Sequence, residues 1–302
     1  KMSLKNFLRR SRFYMDLGDG KSVVQDEMLA RLSDAFHKRT SHVTFLAPME
    51  YVCFGRDSME FRHFTIRRFT KGQLVDLLQN SVNEVFYSWA HVDANRLGWY
   101  WFIVVTDTEP VQPLGEFGTS LGDIGKVNIQ YTKYPTIEVA LQKLALVDWE
   151  PHWRKQENHK PNEWDQWERF GVPFVIKVKD DLLSYPSHAP DLSKLATEPD
   201  IDAATGEELG ERPSVEIVLD PKETEIFRLF LDRVDALFER VKANASAWPF
   251  FERALGFLVK AFFTYDLEQL LWHIAALEAL LGENKEGITD RLARRVGVIL
   301  GA

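Results

Sequence analysis

The sequence predicts an α+β protein in two parts, a mixed module of helices and strands followed by an all-α helical bundle. Three observations carry this. Up to about residue 179, apolar residues fall in helical spacing in some windows and in strand-length runs in others, with no βαβ fingerprint or glycine-rich turn. Residues 180–213 then hold nine acids, two bases (Lys194 and Arg212) and four prolines, which leaves little to bury and reads as an acidic loop or linker. From Asp220 onward the apolar patterns have helical spacing throughout. The expected units are therefore a mixed module over 1–179, the linker over 180–213, and a strand plus helical domain over 214–302, with the bundle beginning at 220.

In chain order, an amphipathic piece (Leu4, Phe7, Leu8) and the turn Gly18-Asp19-Gly20 precede a helix over about Gln25–Lys38. Strands are expected at Val43–Leu46, Tyr51–Phe54 and the alternating Phe61–Phe69. Thr70 and Gln73 have capping-box spacing, in which each side chain accepts from the other residue's backbone N–H, and they open a helix to about Trp89. Trp99–Val105 is apolar at every position, as a strand buried on both faces requires. Glu109–Asp123 is rich in Gly and Pro and reads as a loop. Lys126–Tyr131 then reads as a strand, Thr136–Val147 as a short helix, and Val172–Val178 and Val215–Leu219 as strands.

The helical domain announces itself at Asp220-Pro221-Lys222-Glu223, with Asp at the N-cap, Pro at N1 where its missing N–H costs nothing, and Glu at N3. Behind it, Ile226, Phe227, Phe230, Leu231, Val234, Leu237, Phe238 and Val241 follow a helical pattern, and a further helix is expected near Pro249–Phe263. In Asp266–Gly282 the residues Leu267, Leu270, Leu271, Ile274, Leu277, Leu280 and Leu281 make one helix face, with Asp266 and Gln269 spaced as a capping box and Gly282 as the stop.

Composition narrows the function classes. The formal net charge is −8, and residues from Asp220 onward contribute −2 of it, from 13 acids and 11 bases. A strongly basic nucleic-acid binder is not the default reading, although a local basic groove is compatible with it. The lone Cys53, between Val52 and Phe54, excludes an intramolecular disulfide and reads as a buried core thiol in a reducing compartment. No apolar run approaches the roughly 18 residues that a membrane span needs, and basic Lys1–Arg12 is followed by no apolar stretch of a signal peptide. The chain therefore reads as cytoplasmic, with no membrane partner. It has no P-loop, nucleophile elbow or zincin motif.

The string WHIAALEALLG (Trp272–Gly282), an acidic turn containing Gly287, and ITDRLARRVGVILG (Ile288–Gly301) resemble the Apea-like branch of the HEPN superfamily, helical domains of prokaryotic defence and toxin proteins. The resemblance covers Asp266–Gly301 and extends plausibly back to Pro221. It implies a metal-independent endoribonuclease with no cofactor, acting as a homodimer on RNA in an anti-phage, abortive-infection or toxin system. The module over 1–179 would then be the sensor of a trigger such as a phage-derived protein. In the family, an Arg followed four to six residues later by a His stabilises phosphate charge and moves the proton, on a helix after this segment. A bundle ending at Ala302 is thus expected to lack that helix.

Within the resembling segment, Glu278, Arg291 and Arg295 are the candidates for the catalytic pocket. Glu278 reads either as a residue positioning the Arg and His or as an exposed helix acid in an ion pair. Arg291 and Arg295, one turn apart, read as salt-bridge partners in the bundle or as the lining of an RNA-facing groove. His273 reads as a core histidine. Elsewhere Arg31–His37, Arg56–His63 and Arg154–His159 have spacings near the family's, as chance supplies among eight His and many Arg.

A second feature is the stretch holding Trp149, Trp153, Trp164 and Trp167 with His152, Arg154, His159 and Lys160. Trp153, Arg154, His159 and Trp164 are the candidates there for stacking on single-stranded nucleic acid or holding a ligand. The plainer reading is a loop pinned by its large rings. His152, Glu157 and His159 match no strong metal motif, so no metal is expected. The alternative to the enzyme is a non-catalytic binding protein whose helical domain serves assembly only.

Overall fold

A computed structural model describes residues 25–79, 93–110, 135–152, 170–180, 191–202, 204–244, 250–264 and 266–281. The protein is mixed α and β, built on a five-stranded antiparallel sheet. Its elements begin with α1 (Gln25–His37), β1 (Thr40–Met49), β2 (Tyr51–Phe54), β3 (Ser58–Glu60), β4 (Thr65–Arg68), α2 (Lys71–Gln79) and the single turn α3 (Ala94–Leu97). They continue with β5 (Trp101–Pro110), α4 (Pro135–Leu144), β6 (Ile176–Lys179), β7 (Thr197–Ile201), β8 (Glu208–Pro213) and β9 (Val215–Leu219). The helices α5 (Pro221–Ala243), α6 (Phe251–Phe262) and α7 (Asp266–Leu281) complete the described chain.

The strand order is β3-β4-β5-β1-β6, and β5, expected as a strand buried on both faces, sits at the centre. Its alternating side chains serve two cores. Trp101, Ile103 and Val105 join Val43, Phe45 and Ala47 of β1 and Ile137, Leu141 and Leu144 of α4 on one face. Phe102 joins Leu46, Leu74 and Leu78 of α2, and Leu97 on the other. Apolar residues at every position are what a strand covered on both sides demands.

Beyond Met49 the chain leaves this sheet. Tyr51 takes φ +65°, and β2 then pairs in parallel with β9. Val52, Phe54, Ile217 and Leu219 enter the first core. Cys53, expected as fully buried, is half-buried, because the alternation of β2 turns it to the side away from Val52 and Phe54.

Both longer capping boxes form. Thr70 N–H donates to Gln73 Oε1 at 3.0 Å, and Gln73 N–H to Thr70 Oγ1 at 3.3 Å. Asp220 N–H donates to Glu223 Oε2 at 2.9 Å, while Asp220 Oδ1 accepts from Lys222 and Glu223 at 2.7 and 2.8 Å. The third does not open as expected, since Asp266 itself begins α7 at φ +53°. Asp visits that left-handed region more readily than most residues, through local hydrogen bonding of its short side chain.

Two further expectations differ from the structure. Phe61–Phe69 is not one strand: Phe61 and Phe64 stack at 4.8 Å across a bend, and only Thr65–Arg68 pairs. Much of the expected linker over 180–213 is a hairpin, β7 with β8, closed by a turn in which Asp202 Oδ1 accepts from Ala204 and Thr205, with Gly206 at φ +73°. Its acids and prolines hid it, for the hairpin buries little and is laced by Arg212 to Glu198 at 2.7 Å. The helix expected through Trp89 is described to Gln79, and the strand expected at Lys126–Tyr131 lies outside the described residues.

The segment expected to start a bundle at 220 shares the sheet's core. Phe227 of α5 lies 5.2 Å from Phe54, 6.4 Å from Phe61 and 5.4 Å from Trp149. Phe170 then contacts Trp149 at 5.2 Å, Phe262 at 5.2 Å and Phe263 at 5.8 Å, which fastens the end of α6 to the same aromatic cluster. Helical spacing foretells a buried stripe on α5 but not what covers it.

Candidate functional site

The helix α7 is the described part of the segment that carries the HEPN-like string. It lies along α6, where Phe257 and Trp272 stack at 5.6 Å with an interplanar angle of 22°. The Lys260 ammonium stands 4.5 Å from the Trp272 ring centre, and Trp272 Nε1 donates to Glu268 at 3.2 Å. Ala276 is buried, and His273, expected in a core, is half-buried. The leucine face behaves otherwise. Leu267, Leu270, Leu271, Ile274, Leu277 and Leu280 are 38–67% exposed, so the face that periodicity marks for burial is not covered by the described residues.

Glu278 follows Ile274 by four residues and so stands in that same apolar stripe, exposed and with no ion-pair partner among the described residues. Arg291 and Arg295 lie outside the described residues.

The Arg–His spacings do not converge where they are described. Arg56 Nη1 reaches Glu225 Oε2 at 2.7 Å, whereas His63 Nε2 reaches Glu239 Oε1 at 3.2 Å. Both acids are on α5, fourteen residues and therefore about 21 Å apart along its axis. His37 is occupied locally, with Nδ1 2.7 Å from the Ser33 carbonyl oxygen. Trp153, Arg154, His159 and Trp164 lie outside the described residues, as do Glu157 and Trp167. Trp149, at the head of that stretch, is a core ring whose Nε1 donates to the Leu144 carbonyl at 3.0 Å. His152 stands 3.4 Å from Glu223 at the first turn of α5. Among the described residues no three His, Cys, Asp or Glu side chains gather as metal ligands.

A buried polar cluster that sequence reasoning missed lies where β1 ends. Glu50 is buried, its backbone pairs with Gly171 on both sides, and its Oε1 accepts from Ala196 N–H at 2.5 Å. Desolvation pushes its carboxyl above the ordinary range, against the lowering effect of that hydrogen bond. Tyr100 donates to the carbonyl of the same Ala196 at 2.8 Å, and burial, aided by the nearby Glu50 charge, pushes its hydroxyl up to about 12. Arg96 pairs with Glu211 at 3.3 Å, while its Nε is buried without an acceptor. The cluster holds Ala196 by both its backbone N–H and its carbonyl, just before the base of the β7–β8 hairpin. The signal available in the sequence was one carboxylate, Glu50, inside the apolar run from Val43 to Phe54.

Comparison of the chain with protein-family models, with curated proteins and with solved structures gives no match. No helix among the described residues is long and apolar enough to cross a membrane.

Proposed function

We propose that the protein is an HEPN-like endoribonuclease that acts as a homodimer, with the sheet module as sensor of a trigger such as a phage-derived protein. The observation that carries the reading is the coincidence of the resembling string with an uncovered face. The same α7 that bears LEALL presents six aliphatic side chains and Glu278 to solvent, as a helix does when its partner is another chain. In this reading Arg291 and Arg295 contact RNA phosphates from the segment after α7, Glu278 orients them, and no metal or cofactor takes part.

The test is cleavage of a mixed-sequence RNA by the full-length protein in chelator, alone and with candidate triggers. The Arg291→Ala, Arg295→Ala double variant should lose cleavage while keeping the wild-type mass in solution. Full-length protein that cleaves no RNA under either condition removes the enzyme reading.

A second reading is favoured by one geometric fact: Arg56 and His63 pair with acids about 21 Å apart along α5 and so form no common site. The helical segment then serves assembly only, and the sheet module binds a ligand or protein. Loss of dimerisation in the same double variant, with no RNA phenotype in the parent, selects it.

A further inference from the structure

Two helices carry apolar stripes that the described residues leave exposed. On α5 the residues Thr224, Phe227, Leu231, Val234, Asp235 and Phe238 face inward. Well round the helix from them, Ile226, Phe230 and Leu237 are 40–59% exposed. Their spacing of four and seven places them in one line, and Arg233 falls in the gap of that line, exposed and with no carboxylate at ion-pair distance among the described residues. Lys222 and Arg240, both exposed, flank it. On α7 the stripe is Leu267, Leu270, Leu271, Ile274 and Leu277, with Glu278 set into it, and residues 266–281 hold three acids and no Lys or Arg.

The stripes overlap in an antiparallel pairing: with Arg233 opposite Glu278, Arg233–Val241 of α5 faces Leu270–Glu278 of α7, eight residues or about 12 Å of helix, and Ile226 lies beyond the end of α7. Each line is apolar with one embedded charge, and the two charges are opposite. Antiparallel alignment that sets Arg233 beside Glu278 brings Leu237 to Ile274 and the half-buried Val241 to Leu270, with the helix dipoles opposed. Both stripes are exposed in one and the same chain, so neither covers the other within it.

We infer that the chain pairs with a second copy of itself by laying α5 along α7 of the other copy, with Arg233 bonded to the other copy's Glu278. A two-fold axis makes the contact twice, so each copy gives one stripe and receives one, and the surface closes without leaving a sticky end. The inference rests on the homodimer reading above and not on RNA cleavage. It gives Glu278 a pairing contact across the dimer beside the orienting role proposed above.

Charge reversal tests it on the full-length protein, with mass in solution followed by sedimentation across a dilution series. Arg233→Glu and Glu278→Arg should each weaken dimerisation about tenfold or more, because each sets like charges together in an apolar setting. The Arg233→Glu, Glu278→Arg double variant should return to within about threefold of wild type, a rescue that misfolding cannot produce. Single variants without effect, or a double variant that is not rescued, overturn the inference. So does a wild-type monomer at every concentration; if its α7 amides are nevertheless strongly protected from exchange, the stripe is covered by residues after 281 of the same chain. A dimer that cleaves no RNA sinks the proposed activity and leaves this interface standing, whereas cleavage by a strict monomer does the reverse.

Discussion

The ammonium of Lys143 on α4 donates to the carboxylate of Asp235 on α5, with 1% and 8% of the two side chains exposed. The rings of Phe64 and Phe238 stand 5.8 and 5.6 Å from the same nitrogen. This is a buried ion pair in an aromatic setting, and it ties α4 to α5.

Removing one partner should be far worse than removing both. Asp235→Ala leaves a cation without counter-charge and should cost about 3–5 kcal/mol, as should Lys143→Ala. A Lys143→Met, Asp235→Leu double variant should recover most of that loss or exceed the wild type. Urea denaturation of the three variants checks this, and a double variant as unstable as the singles would rule the account out.

Phe227 should behave as the joint between sheet and helices. Truncation to Ala opens a cavity among Phe54, Phe61 and Trp149 and should cost about 3–5 kcal/mol. Because one core serves both parts, tryptophan fluorescence and far-UV dichroism should still report a single coincident transition. Two separated transitions in the wild type would show that the helices fold as a unit of their own.

Glu50 predicts a definite pH slope. Its carboxyl is raised in the fold above its ordinary value of 4.5, so the native state holds the proton more tightly than the unfolded chain. The associated stability is complete below 4.5 and declines as pH rises through the raised native value. Glu50→Gln keeps an acceptor for Ala196 and abolishes the titration. Its melting temperature should match or exceed the wild type at pH 7, and the gap should close toward pH 4. A gap that widens on acidification contradicts the assignment.

Gly55 has no room for a methyl group. A Cβ there would lie 2.5 Å from Pro221 N and 2.7 Å from the Asp220 carbonyl carbon, both backbone atoms at the cap of α5. Gly55 N–H also donates to Thr224 Oγ1 at 3.0 Å, so the loop cannot retreat without loss. Gly55→Ala should destabilise by about 1–3 kcal/mol in thermal unfolding.

What could be read from the sequence follows the range of the interactions. The boxes at Thr70/Gln73 and Asp220/Glu223 are complete within four residues, and both form. The run Tyr51–Phe54 is a strand residue for residue. The grip of Glu50 on Ala196 spans 146 positions, and no local pattern encodes it. The hairpin β7–β8 escaped because its order rests on a turn and an ion pair instead of apolar alternation. Periodicity announced the leucine face of α7 correctly as a face, yet 3.6-residue spacing is blind to whether the cover comes from the same chain. Of the candidate site, only Glu278 lies among the described residues.

The parallel pairing of β2 with β9 also sets a timetable. Cys53 meets Val218 across roughly 160 intervening residues, which a ribosome adding ~5–20 residues per second takes on the order of 10–30 s to supply. Through that interval the emerging chain holds Val52 and Phe54 with an unfinished edge, and the cap of α5 has not yet arrived to close over Gly55. The centre of the molecule is thus the last part to be sealed. A nascent chain halted before residue 215 would expose an apolar β edge of the kind that chaperones hold.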